Sequence, residues 1–212
     1  MSTQIVDYET PEETHDYYGV IFMDDTIQTL VTITPAMVDF WISEIQRIHR
    51  RRLRHLIVGL DIEWRPNKSR YSNNPVATLQ LCVGRRCLIF QLIYAPHIPQ
   101  SLSRFLANPD YTFVGLGIAS DVEKMADDYG LEVSNSVDLR ELAACTLDAR
   151  ELCRAGLKTL ARVVLGKEIE KPKSVTMSRW DQEWLSYEQI QYACLDAFLS
   201  FEIGRILNAS HW

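Results

Sequence analysis

The 212-residue chain contains no apolar run near the roughly 20 residues that a bilayer span requires, so no transmembrane helix is expected. Its opening stretch, MSTQIVDYETPEETHDYY, is acidic and polar and lacks the basic start and apolar centre of a signal or transit peptide. Cysteine is sparse and unpaired in pattern. The five residues Cys82, Cys87, Cys145, Cys153 and Cys194 are odd in number and form no Cys-x-x-Cys motif. That argues against a disulfide framework and for reduced, mostly core-filling thiols in a cytosolic or nuclear protein. Positive charge is not in excess. With 22 Lys and Arg against 28 Asp and Glu the net charge is −6, which disfavours non-specific duplex binding through a broad basic surface. A local basic track, or anions met through metal ions, stays open. There is no internal repeat and no low-complexity tract, and the five histidines show no His-x-x-x-His spacing, so none is assigned a metal or catalytic role.

The balance of 47% hydrophobic and 24% charged residues is that of a globular domain. A chain of this length buries roughly 70% of the surface of its unfolded form. Residues 1–18 carry few apolar signals and read as a loosely ordered arm, followed by one domain over 19–209. Strands are expected at 19–23 and 26–33 around an Asp24-Asp25 turn. Thr34-Pro35 supplies an N-cap and an N1 proline for a helix to about Arg50, with Val38, Trp41, Ile42 and Ile45 on one face. The almost wholly apolar stretch 56–64 reads as a central strand covered on both sides. A hairpin over 77–83 and 87–92 closes at Gly84-Arg85. Helices near 99–107, 120–129, 139–148, 157–165 and 187–208 then alternate with short strands at 112–115 and near Val137. The pattern predicts an α/β fold with a mixed five-stranded sheet flanked by helices. The longest loop, 166–180, contains Lys171, Pro172 and Lys173, and loops of that length are often functional.

Three carboxylate-bearing segments carry the chemistry. Asp61 and Glu63 alternate with Ile62 in the central strand and so point to one face. Side by side on a buried strand they repel each other and lose hydration, and the preceding residues 56–60 offer no compensating cation. A hard divalent cation such as Mg²⁺ or Mn²⁺ meets that need. Alternatively the pair lies just past the sheet edge, solvated or joined to Arg65. Asp121 follows a strand and falls in the first turn of a helix, where dipole complementarity alone also explains an acid. Ser186-Tyr-Glu-Gln189 is a capping box that opens a helix containing Tyr192 and Asp196 at i and i+4. Beside them Ile190, Cys194, Ala197 and Phe201 form an apolar stripe. Either Tyr192 and Asp196 converge with the other acids, or they sit at the solvated margin of an ordinary amphipathic helix.

Taken together, VGLDIEW, VGLGIASDVEKM and SRWDQEWLSYEQIQYACLDAFLSFEIG resemble the three motifs of the DEDDy branch of DnaQ-like 3′–5′ exonucleases. The likeness is to the Werner-type exonuclease domain and its small stand-alone plant relatives, with RNase D more distant, and it covers roughly residues 20–208. It implies a ribonuclease H-like fold and two-metal phosphodiester hydrolysis with two Mg²⁺ or Mn²⁺ ions. By the resemblance Asp61 bridges both ions, Glu63 and Asp196 complete one site, and Asp121 holds the other through water. Tyr192 orients the attacking water, because a phenol of pKa near 10 is a poor base at neutral pH.

Trp64 either stacks on the terminal base or fills the core. Arg65, Lys68 and Arg70 either hold backbone phosphates or form a solvated loop. Leu79 and Gln80 are candidates to touch the last two nucleotides. The run Arg47–His55 either guides a strand, complements a helix dipole, or forms an assembly surface. No helicase or HRDC-like region follows, so a stand-alone nuclease is expected. The plant relatives imply single-stranded short RNA as substrate, an Argonaute-linked role, a homo-oligomer extending to a hexameric ring, and a cytoplasmic setting with a nuclear one open. The rival readings are a Werner-type DNA-repair exonuclease and a catalytically silent nucleic-acid-binding scaffold. Five converging polar groups argue against silence.

Overall fold

The computed structural model describes residues 3–9, 14–67, 69 and 72–212. Its centre is strand β4 (Leu56–Trp64), whose first five side chains are all buried. Strand β5 (Val76–Val83), buried along its whole length, pairs antiparallel to one side of β4, and β7 (Tyr111–Gly115) pairs parallel on the other. A strand enclosed on both faces has no use for alternation, which is why 56–60 reads as one apolar run. The full order is β1 (Gln4–Asp7), β2 (His15–Phe22), β3 (Asp25–Thr32), β6 (Arg86–Phe90), β5, β4, β7 and β8 (Ser136–Asp138).

The mixed α/β class is as expected, but among the described residues the sheet has eight strands, not five. The β1–β2–β3 meander joins the core through parallel pairing of β3 with β6, and β8 closes the other edge. Strand β1 lies where the sequence suggests an arm. Three of its four side chains are exposed, so backbone pairing with β2, not apolar burial, makes it a strand, and its sequence carries no period-2 signal. The β2–β3 turn falls one residue earlier than expected, at Met23-Asp24, while β5 and β6 do turn at Gly84-Arg85, with Gly84 at φ +60°.

Helix α1 (Pro35–Ile48) buries Val38, Trp41, Ile42 and Ile45, the face its spacing predicts. Thr34 takes the N-cap position without its side chain bonding a helix amide. Helices α2 (Gln100–Leu106), α3 (Ile118–Tyr129) and α4 (Leu139–Thr146) follow, then α5 (Leu157–Leu160), which runs into a π-turn over 161–165. The long loop holds a single turn, α6 (Lys173–Thr176). Helix α7 (Tyr187–Ile206) lies across β4, β5 and β7. Its capping box is formed: the Gln189 amide donates to Ser186 Oγ at 3.3 Å, and the Ser186 amide donates to Gln189 Oε1 at 2.9 Å.

One residue sets how closely α7 approaches β4. A Cβ on Gly59 would stand 2.0 Å from the Ala197 carbonyl oxygen and 2.7 Å from the Phe201 nitrogen. Only glycine lets the helix backbone lie directly on the strand, and that contact lies two residues before Asp61 and adjoins Asp196.

Candidate active site

Gly59, Asp61 and Glu63 share one face of β4, and Gly59 fixes that face as the one under α7. Helix α7 supplies Asp196, which is only 6% exposed. One carboxylate oxygen each from Asp61, Glu63 and Asp196 lies within 4.8 Å of the others. The solvated-margin alternative for this helix face therefore fails at Asp196, because α7 is buried on most of its circumference. Asp121, in the first turn of α3, stands outside that triad but is close enough to raise the pKa of both Asp61 and Glu63. Its helix starts from Gly117 in the left-handed conformation, φ +70°, whose amide donates to Asp138 Oδ2 at 3.0 Å.

The electrostatics show what the cluster lacks. Burial, then Asp196, Glu63 and Asp121, pushes the Asp61 carboxyl well above the usual carboxylate range. Glu63 is pushed up to about 8, by burial first and by Asp196 next. Asp121 is pushed up to about 7 by burial and then by Asp138, against the opposing charge of Arg140. Burial also raises Asp196, although Lys171 offsets it. Asp61 Oδ2 is buried and meets no hydrogen-bond partner among the described residues. A buried carboxylate oxygen without a donor costs free energy on the order of 1–3 kcal/mol or more. Oxygen-only donors and a buried, orphaned carboxylate oxygen fit a hard divalent cation. Two oxygens on opposite sides of Mg²⁺ at about 2.1 Å stand about 4.2 Å apart, inside the spacing of the triad.

Protein cations answer only part of the charge. Lys171 Nζ donates to Asp196 Oδ2 at 2.5 Å and lies 4.8 Å from the centre of the Tyr192 ring. Burial alone would lower the pKa of this lysine, but Asp196, Tyr192 and Asp61 outweigh it and the net shift is upward, so it stays an ammonium. The Tyr192 hydroxyl is raised to about 12 by burial and by Asp196. Thr176 Oγ1 donates to that hydroxyl at 3.3 Å, and Trp180, fully buried, tilts against the ring at 6.0 Å. Nothing in the sequence alone gives Lys171, Thr176 or Trp180 a role in the site. The signal for them is the length of the 166–180 loop, because a long segment held by a buried tryptophan and two ion-paired lysines, Lys167 and Lys171, is not a plain connector.

The candidate substrate residues divide. Antiparallel register sets Gln80 opposite Asp61 and Thr78 opposite Glu63, on the carboxylate face. Leu79 stands opposite Ile62 and so points to the other face, fully enclosed in the core; it offers no surface to a nucleotide. Gln80 is also fully buried. Its amide nitrogen donates to Thr78 Oγ1 at 2.6 Å, while Oε1 meets no donor. A register shift between Glu63 and Trp64 turns the strand end. Trp64 is half-buried against the core with the Lys124 ammonium 5.4 Å from its ring centre. Arg65 is tied by a 2.9 Å ion pair to Asp181, which also binds Arg179. Lys68 and Arg70 lie outside the described residues.

Comparison with known proteins points to the same family as the motifs. A family model described as 3′–5′ exonuclease matches residues 39–210. A 3′–5′ exonuclease of Arabidopsis thaliana is 34% identical over 152 residues, 71% of this chain and 52% of the relative. The mouse bifunctional 3′–5′ exonuclease/ATP-dependent helicase WRN is 33% identical over 72% of this chain and 11% of its own length. The chain thus spans about half of one relative and a small part of the other. Among solved structures, the Aedes aegypti Nibbler EXO domain superposes with a TM-score of 0.64 at 19% identity, covering 85% of this chain and 87% of that one; this supports the fold. The EXD2 exonuclease domain soaked in Mn and GMP gives a TM-score of 0.50 at 26% identity, covering 86% and 91%.

Proposed function

The chain belongs to the 3′–5′ exonuclease family, and from that premise we propose that it is a divalent-metal-dependent 3′–5′ exonuclease acting on single-stranded nucleic acid, short RNA foremost, and releasing 5′-monophosphates. The observation that carries this is the convergence of carboxylate oxygens of Asp61, Glu63 and Asp196 within 4.8 Å of one another, with the buried Asp61 Oδ2 lacking a hydrogen-bond partner among the described residues. Asp61, Glu63 and Asp196 would hold one Mg²⁺ or Mn²⁺, with Asp121 placed to help hold a second. Such ions supply Lewis-acid stabilisation of the charge that develops on the attacking and leaving oxygens. The remaining work falls to the chain. With its pKa near 12, Tyr192 keeps its proton at neutral pH, so its hydroxyl positions the attacking water and does not deprotonate it. Thr176 bonds that hydroxyl and Trp180 packs against its ring.

The small plant relatives that the motifs resemble favour RNA over DNA, and with it an Argonaute-linked cytoplasmic setting and a homo-oligomeric ring. The Werner-type resemblance keeps DNA trimming as the second reading. End-labelled single-stranded RNA, single-stranded DNA and recessed duplexes, each with Mg²⁺, Mn²⁺ or EDTA, test both. The expected result is a ladder shortened from the 3′ end, fastest on unpaired RNA and absent in EDTA. Cutting of a circular single strand, or full activity in EDTA, overturns the proposal.

A further inference from the structure

The acidic cluster occupies one end of β4; the other end is basic. Between the C-terminus of α1 and the first residue of β4 the chain reads His49-Arg-Arg-Arg-Leu-Arg-His55. Arg50, Arg51, Arg52 and Arg54 are all exposed, and among the described residues none of them forms an ion pair. The nearby carboxylates are engaged elsewhere: Glu44 with Arg47 and Arg86, Glu202 with Arg205, and Asp25 with Arg85 and Lys167. Two adjoining clefts, of about 220 and 620 Å³, share His49, Arg52 and Arg205 in their walls. Burial first, then Arg52 and Arg86, hold the His49 pKa down, so two cations act on this ring. Flat rings border the same patch. His55 stacks on His211 with centroids 5.0 Å apart and planes 25° apart, and the next residue, Trp212, is 59% exposed.

Unpaired guanidinium groups beside exposed or stacked rings are the chemistry that grips a single strand, phosphates on the cations and bases on the rings. We propose that this patch is a second binding site for single-stranded nucleic acid, separate from the carboxylate cluster and holding the strand upstream of its reacting end. The inference rests on the exonuclease reading above. It adds a length requirement. The straight line from Leu56 to Asp61 is five residues of strand, about 17 Å at 3.3 Å per residue, and it runs through the core, so a strand passing round the outside needs more than about five stacked nucleotides at 3.4 Å each. Strands shorter than that reach only the reacting end. Longer ones occupy both sites and gain by effective concentration.

The test compares labelled 4- and 20-nucleotide oligo-uridines, bound in EDTA to wild type and to a combined Arg50→Gln, Arg51→Gln, Arg52→Gln, Arg54→Gln variant. The variant should melt as wild type does, bind the 20-mer about ten- to a hundredfold more weakly, and lose up to about 3 from the slope of log affinity against log salt. Its 4-mer binding should not change. Trp212→Ala should weaken the 20-mer by about a further tenfold. Equal 20-mer affinity and salt slope in variant and wild type overturn the proposal. So does a variant that keeps wild-type binding but changes oligomeric state in light scattering, which would make the patch an interface between copies. If wild type binds neither oligomer and cleaves neither in Mg²⁺, the exonuclease reading itself fails; if it binds and cleaves both and the variant matches it, only the second site does.

Discussion

The two ends of β4 both carry unbalanced charge, and they solve the problem in opposite ways. At the Asp61 end, four carboxylates are drawn together under α7 and α3, three of them pushed far up in pKa, with one lysine in reply. At the Leu56 end, four arginines that form no ion pair among the described residues stand in solvent. Water of high dielectric screens the arginines at almost no cost, whereas buried carboxylates have no such screen. The acidic end is thus unstable until it is protonated or meets a multivalent cation. The basic end can wait indefinitely for a polyanion. One end is built to be completed, the other to be visited.

Removing one charge at the acidic end should break the contrast most severely. Asp61→Asn takes away the carboxylate that faces all three other acids. Cleavage should fall by about a thousandfold or more, since the loss of several kcal/mol of metal-derived stabilisation is expected. In EDTA the same variant should melt higher than wild type, because a repulsion has gone, and the melting gain on adding Mn²⁺ should vanish. Near-wild-type cleavage would dissolve the metal assignment.

Tyr192→Phe separates positioning from metal affinity at that end. It removes a hydroxyl and no carboxylate, so Mn²⁺ should stabilise the variant as it does the wild type. Single-turnover cleavage should drop about a hundredfold, the cost of a nucleophile misplaced by about 1 Å. Asp196→Asn, one turn along α7, should lose both metal stabilisation and cleavage. If Tyr192→Phe cleaves at the wild-type rate, the phenol is a packing group.

Much of the acidic end was legible in the sequence because its signals are local. Alternation put Asp61 and Glu63 on one face, the capping box fixed where α7 starts, and i, i+4 spacing joined Tyr192 to Asp196. What escaped depends on contacts between distant segments. Lys171 lies 25 residues from Asp196, and nothing in its neighbourhood says which acid it will find. Leu79 and Gln80 are neighbours in sequence, yet register gives them opposite faces, and register is a property of the β4–β5 pair. Strand β1 is invisible for a related reason, since an edge strand stabilised by backbone pairing has no apolar period to read.

A titration sharpens the comparison further. In the metal-free protein the Glu63 pKa lies near 8 against 4.5 for a free side chain, and that of Asp121 near 7 against 3.8. Both are raised, so between these limits the folded protein binds more protons than the unfolded chain. Stability from these groups is complete below about pH 4 and is lost as pH rises through 7 and 8. In EDTA the melting temperature should fall between pH 5 and pH 8, by about 2–4 °C for each kcal/mol lost. Saturating Mg²⁺ should flatten the decline, because metal-bound carboxylates are already deprotonated. An EDTA melting curve that does not change over this range would mean that burial does not hold Glu63 and Asp121 above their ordinary pKa values.

The smallest effect belongs to the basic end, and its smallness is informative. Arg52 is exposed, forms no ion pair among the described residues, and borders His49, whose pKa it helps to lower. Arg52→Ala removes no partnered charge and opens no cavity, so its stability in the absence of nucleic acid should stay within about 0.5 kcal/mol of wild type. The pKa of His49 should rise toward its ordinary value of 6.5 once that guanidinium is gone, which a proton NMR titration of the imidazole would read directly. Burial and Arg86 still act on the ring, so the recovery should be incomplete. A substantial loss of stability instead would mean that Arg52 supports the fold, and the contrast between a buried end that demands a cation and an exposed end that merely tolerates its charge would not hold.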